Sequence, residues 1–333
     1  MTSLSLSSLS VKHNKGKFMK RVTKAMKAAL IAASLMTTFA ATSANYPNRP
    51  VKFVVPWPPG DLEDILTRVI AEEMSKETGK PASVVNKPGG GGVVGATDVS
   101  RSRPDGLVIG SFVADILTTQ ILFGTAPFDQ NSFEPVGIFL DYPFAIAVKS
   151  DAPYNNLEEL AAYSKSNKVT LGHFGYQALP TAITFKAADQ IGIKFSSDAP
   201  FDVLDCSTLA NGDADVINTT TQLILACLNS GDVKLLTSIS RDRLSITPDV
   251  ATLAEQTGIT QTTWNGLFVK KGTPQKIKDK IAGIAEKALQ ADRVKEISMN
   301  TGAGVYWLGG KDAEALLAKD FEQAKSLLNF MNQ

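Results

Sequence analysis

Val51-Lys52-Phe53-Val54-Val55-Pro56-Trp57-Pro58-Pro59-Gly60-Asp61-Leu62-Glu63-Asp64 is an apolar run that stops at a stiff loop and restarts as a helix. The first five residues have the length and β-branched content of a buried strand. Pro56, Pro58 and Pro59 cannot donate to a ladder, so they hold the backbone extended as it leaves the sheet. Gly60 permits a sharp bend. Beyond it Leu62, Ile65, Leu66, Val69, Ile70 and Met74 recur at helical spacing, which starts a helix near Asp61 with its free N–H groups facing the loop. In open α/β sheets ligands sit at that end of a strand, so the turn predicts a binding site.

The same alternation continues outward. Residues 81–86 read as a second strand, followed by Lys87-Pro88-Gly89-Gly90-Gly91-Gly92 and a helix over 93–101. Strand 107–112, helix 116–123 and strand 135–140 complete a first series, and 144–148 opens a second. That series has helices at 157–166, 179–190, 203–210 and 222–229, with strands at 169–171, 215–219 and 233–237. Alternating short apolar runs and helical patterns mean mostly parallel sheets covered on both faces. After strand 264–269, Thr273 can cap and Pro274 can take the first position of helix 275–290, and helix 312–328, expected to cover the first sheet, closes the chain. The chain is thus expected to cross between lobes at 140–144 and 262–267, giving one lobe of 45–140 plus 265–333 and another of 141–264. Two crossings make a hinged cleft that can close over a small ligand.

Residues 1–44 read as a cleaved secretory leader rather than as part of the fold. Lys12, Lys15, Lys17, Lys20, Arg21, Lys24 and Lys27 precede an apolar run over 28–36, and Thr42-Ser43-Ala44 supplies the small residues of a cleavage site. The run is shorter than the roughly 20 residues a span needs. Met19-Lys20-Arg21 offers an alternative start. Taking those seven cations from the 34 Lys and Arg leaves 27 against 33 Asp and Glu, a formal charge of −6, which argues against nucleic-acid binding. Some 290 remaining residues suffice for two modest domains. Cys206 and Cys227 would meet an oxidising compartment after export, and either a disulfide or two buried thiols fits the sequence.

Gly90-x-Gly92-x-x-Gly95 with Asp115 downstream formally fits a dinucleotide fingerprint. It follows the second strand instead of the first, and Pro88 interrupts the join, so the glycines read as a tight connection. No cofactor is expected. Hydrolysis has little to work with, because His173 is the only histidine after the leader, no metal-ligand spacing occurs and no base has an orienting partner.

With these residues in hand the chain resembles the Bug family, the periplasmic solute-binding receptors of tripartite tricarboxylate transporters. The likeness runs from Tyr46-Pro47-Asn48-Arg49-Pro50 through Pro56-Trp57-Pro58-Pro59-Gly60 with Asp64, Asn86-Lys87-Pro88-Gly89 and Pro104-Asp105-Gly106. It continues at Phe133-Glu134-Pro135-Val136, Pro248-Asp249-Val250-Ala251-Thr252 and Trp264-Asn265-Gly266-Leu267-Phe268. The resemblance implies a two-lobed, type II-like α/β periplasmic binding protein, a monomer that clamps a small organic acid or related polar metabolite and presents it to membrane permease subunits. An exported α/β enzyme acting on a carboxylated molecule, or a sensor feeding a membrane kinase, are the alternatives.

On that footing Trp57, Pro59, Gly60, Asp61, Leu62 and Asp64, with Phe112 and Val113, are expected to hold one end of the ligand. The loop His173, Phe174, Gly175, Tyr176 and Gln177 and the strand end Asn218, Thr219, Thr220 and Thr221 are expected to close over the other. Family members usually carry Gly and small hydroxyl residues where Asp61, Leu62 and Glu63 stand here. Asp61 therefore has two readings: a helix N-cap that saturates the donors a ligand carboxylate would use, or a cleft residue that selects a ligand with an amine, hydroxyl or amide donor. Glu63 is expected to point to solvent and Asp64 to brace the loop. His173 either donates to a ligand carboxylate or is a satisfied structural histidine.

Overall fold

Four of the five side chains of β1 (Val51–Val55) are buried, as an apolar strand flanked on both edges requires. It pairs in parallel with β2 (Ala82–Asn86) on one side and β3 (Val108–Val113) on the other. The computed structural model describes residues 46–331, and from Arg49 on the chain forms one compact unit. The expected leader lies outside the described residues. No helix among those described is long and apolar enough to cross a membrane.

β4 (Phe133–Asp141) ends the first run through this sheet, and the chain then builds a second sheet from β5 (Phe144–Lys149), β6 (Thr170–His173), β7 (Ser197–Pro200), β8 (Val216–Thr220) and β9 (Val233–Ile239). It returns to the first with β10 (Trp264–Lys270) and β11 (Gly304–Gly309). The orders are β11-β4-β10-β3-β1-β2 and β7-β6-β8-β5-β9. The α/β class stands, but "mostly parallel" needs correction. Strands joined through a helix pair in parallel, whereas β10 is antiparallel to β3 and β4, and β5 is antiparallel to β8 and β9. The reason is the direction of entry: β10 and β5 start at the end where the parallel strands finish.

The helix Leu62–Thr78 shows why the opening stretch folds as it does. Asp61 caps it by accepting from the Leu62 N–H, Glu63 and Asp64 place negative charge at the positive end of the helix dipole, and Gly79 (φ 65°) ends it. Leu62, Leu66, Ile70 and Met74 are wholly buried on its inner face. Gly60 sits at φ 113°, a backbone region that L side chains rarely adopt. A Cβ on Gly95 would come within 2.9 Å of Pro56 Cβ and 3.0 Å of the Lys87 carbonyl, so that glycine lets the helix Val93–Ser100 lie against the loop leaving β1.

Several elements differ from expectation. The single helix over 116–123 is two short ones, Ala114–Leu117 and Thr119–Leu122, broken at Thr118. The helices over 203–210 and 222–229 begin later, at Cys206 and Leu225. Helices Leu253–Thr257 and Asp292–Thr301 and the edge strands β7 and β11 were not expected, although the first helix carries a capping box of Thr252 and Glu255 and both helices end at a glycine. The last helix, Gly310–Met331, packs on β4 of the first sheet, as expected, but also against the helix Leu179–Ile191 beside the second. Cys206 and Cys227 form a disulfide with Cα atoms 5.8 Å apart, in the apolar cluster around Leu204, Ile217 and Ile224.

Candidate ligand-binding site

β1 and β3 from the first sheet, and β6 and β8 from the second, all finish facing a pocket with about 690 Å³ of empty space, its mouth included. Trp57, Pro58, Pro59 and Asp61 from the loop after β1 form one wall, with Val113 and Asp115 at the end of β3. Phe144, Phe174, Val203 and Leu223 form the facing, largely apolar side. Tyr142 and Thr263 line it from the two connections between the sheets.

Carboxyl groups dominate the polar lining. Asp61 accepts from the Leu62 N–H (2.8 Å) and from Thr220 Oγ1 (3.0 and 3.2 Å), so this one side chain caps a helix and reaches across to the other sheet. The N-cap reading of Asp61 holds, and the same residue also lines the pocket. Glu63, expected in solvent, is instead buried and accepts from Tyr142 Oη at 2.7 Å. The first helical turn lies against Tyr142 on the connection between the sheets rather than at the surface, which is the reason for the correction. Asp115 Oδ2 accepts from the Leu179 N–H at 2.9 Å, the first free N–H of the helix Leu179–Ile191. A residue at the end of β3 thus caps a helix that belongs to the other sheet. Asp115 Oδ1, Trp57 Nε1 and Thr263 Oγ1 are buried without a hydrogen-bond partner.

Every donor to these carboxyls is neutral, and the acids respond. Burial pushes the Asp61 carboxyl up to about 6, offset in part by its hydrogen bonds from Leu62 and Thr220. Burial likewise pushes Asp115 up to about 6. Glu63 is held well above the usual carboxylate range, first by burial and then by the neighbouring Asp61. Tyr142 is raised well above its ordinary value, by burial and then by Glu63.

Of the residues expected from the sequence, Trp57, Pro59, Asp61, Val113 and Phe174 line this pocket. The others are placed elsewhere for identifiable reasons. Leu62 and Phe112 are core, Phe112 stacked on Phe268 with ring centroids 5.7 Å apart. Asp64 braces the loop: it accepts from the Gly60 N–H at 3.1 Å, from Arg68 at 2.9 and 3.0 Å and from Asn86 at 2.9 Å. Gly60 is held by that bond and does not line the pocket.

His173 is fully buried, and both ring nitrogens are committed. Nδ1 accepts from the Gly175 N–H at 2.9 Å, which leaves Nε2 to donate to Asp198 at 3.0 Å. It is a satisfied structural histidine. Tyr176 donates to the same Asp198 oxygen and is half exposed, while the Gln177 carbonyl accepts from Thr119 Oγ1 at 2.5 Å. The loop from Gly175 to Gln177 therefore turns away from the pocket, leaving Phe174 to face it. Asn218 donates to Thr184 Oγ1 at 2.7 Å under the helix, and Thr219 to the Leu204 carbonyl at 2.5 Å. Thr220, also expected here, is the one that reaches Asp61.

Tyr142, Phe144 and Thr263 were missed as site residues, although the expected crossings at 140–144 and 262–267 contain them. A segment that passes between two sheets must floor the space between them, and that was the available signal. Val203 was absorbed into a helix that in fact starts at Cys206, and Asp202, just before it, was not singled out.

Comparison with known proteins agrees with this geometry. Residues 66–332 match the family described as tripartite tricarboxylate transporter family receptor. BugT of Bordetella pertussis is 29% identical over 272 residues, covering 78% of this chain and 82% of that protein. Among solved structures, the periplasmic binding protein BugD is 30% identical with a TM-score of 0.75, over 86% of this chain and 98% of that one. MatC of Rhodopseudomonas palustris, solved with bound malate, is 24% identical with a TM-score of 0.73, over 85% of this chain and 99% of that one.

Proposed function

Since the chain belongs to the tripartite tricarboxylate transporter receptor family, whose members are solute-binding receptors, we propose that it captures one small polar metabolite between its two sheets and presents it to membrane permease subunits, with no reaction catalysed. The observation that carries this reading is the pocket itself. It lies where parallel strands of both sheets end, and Asp61–Thr220 and Asp115–Leu179 bonds span it from one sheet to the other. A guest seated there touches both sides at once, so its binding energy can favour a closed over an open arrangement. Closure then alters the surface offered to a permease.

The lack of chemistry is supported by the commitment of His173, the only histidine after the expected leader, to Gly175 and Asp198. It is far from free to act as a base. MatC's malate indicates that a guest of a few carbon atoms suits this fold. Residues 1–44 serve in this proposal as an export leader cut after Ala44, which places the receptor in the periplasm where its family works.

Native mass spectrometry of the exported protein, purified without refolding, tests the proposal. A single small molecule released unchanged, and rebinding saturably one to one, is the expected result. Conversion of that molecule on incubation would replace the receptor reading with an enzyme.

A further inference from the structure

The receptor reading leaves open which solutes the pocket prefers, and the polar lining bears directly on that choice. Resting on that reading, we propose that the guest is a small organic cation, an ammonium head on an apolar or aromatic body, and not a di- or tricarboxylate.

The first argument concerns places already taken. A carboxylate ligand is attracted to helix N-termini, where free N–H groups and the helix dipole meet it. Two helices of more than two turns point such ends at this pocket, Leu62–Thr78 and Leu179–Ile191. Each is already met by a protein carboxylate: Asp61 accepts from Leu62, and Asp115 accepts from Leu179. The protein has supplied its own anions where a ligand's would sit.

The second argument concerns what is missing. Asp61, Glu63, Asp115 and Asp202 line the pocket, and among the described residues no Lys, Arg or His does. The partners of the first three are uncharged: backbone N–H groups, the Thr220 hydroxyl and the Tyr142 hydroxyl. Asp115 is 4% exposed, and its Oδ1 has no hydrogen-bond partner at all. A buried acceptor left open on a pocket wall calls for a donor from the guest. The upward displacement of the Asp61, Glu63 and Asp115 carboxyls is what acids do when no cation neutralises them.

The third argument separates an organic cation from a metal. Among the described residues no three His, Cys, Asp or Glu side chains converge as a metal-binding set. The facing wall is Phe144, Phe174, Val203 and Leu223, with the Trp57 indole beside the acids. Such walls hold a hydrocarbon body, and ring faces attract a positive head. Trp57 Nε1 and Thr263 Oγ1, on two residues that line the same pocket, are also buried without a partner.

The test is titration calorimetry on the mature protein with pairs that differ only in the head group. Suitable pairs are 3-phenylpropylamine with 3-phenylpropionate, and pentylamine with pentanoate, with malate as the dicarboxylate. The expected result is that each amine binds at least tenfold more tightly than its acid partner, and malate more weakly than either amine. Asp115→Asn, which keeps an acceptor for the Leu179 N–H, should weaken the amines at least tenfold and narrow the gap to the acids. Glu63→Gln, which keeps an acceptor for Tyr142, should act in the same direction. Tighter binding of the acids or of malate overturns the cation assignment while leaving the receptor reading intact. Absence of saturable binding for every compound, and of any co-purified molecule in native mass spectrometry, overturns both.

Discussion

Replacing Asp115 by Asn should make the protein more stable at neutral pH, although the residue sits at the centre of the candidate site. The folded-state carboxyl lies at about 6, raised by burial from 3.8. A group whose folded value is raised holds more protons folded than unfolded in the window between the two. Stability therefore falls as pH rises from about 4 to about 6, and the full penalty applies above it. A displacement of about 2 units corresponds to about 3 kcal/mol at pH 7. Asparagine keeps an oxygen for the Leu179 N–H but puts an amide N–H₂ where Oδ1 has no partner, returning about 1 kcal/mol. The net expectation is a gain of about 2 kcal/mol at pH 7 that vanishes or reverses near pH 4. Urea unfolding of ligand-free wild type and variant at both pH values measures it. A variant no more stable than wild type at pH 7, with the same slope against pH, would refute the claim that Asp115 is charged, buried and unneutralised.

Other consequences are more local. Cys206→Ser with Cys227→Ser removes a cross-link spanning 21 residues and should lower stability by about 3 kcal/mol in non-reducing melts, an effect absent when both forms are compared in reductant. Gly95→Ala brings a methyl against Pro56 and the Lys87 carbonyl, both parts of rigid backbone segments, and should cost about 1–3 kcal/mol by thermal unfolding. Thr220→Val removes the donor to Asp61 across the pocket and should cost about 1–2 kcal/mol, read by denaturant unfolding, with the disulfide intact.

The opening strand, loop and helix were legible because each relies on neighbours in sequence: a β-branched run, three prolines, a glycine at positive φ and an Asp cap. The α/β class followed from repetition of that pattern. Edge strands β7 and β11 were not legible, since Ser197–Pro200 is polar and Gly304–Gly309 is bounded by glycines, and each pairs with a strand on one side only. In the site, residues on the loop after β1 were found because a turn at a strand end is local information. Glu63 was misplaced because nothing nearby in sequence says that Tyr142, 79 positions later, will lie over it. His173 was ambiguous for the same reason, as its partner Asp198 is 25 positions away on a strand with no apolar signature. Long-range partners decide which polar side chains face the guest, and they leave no periodic trace.

The terminal helix Gly310–Met331 leans on β4 and on the helix Leu179–Ile191 together. Any swing of one half against the other must drag it as a strut, so the halves can slip by small steps but cannot gape freely. Scattering curves with and without cargo should accordingly differ little in radius of gyration, and clipping the strut should widen the swing.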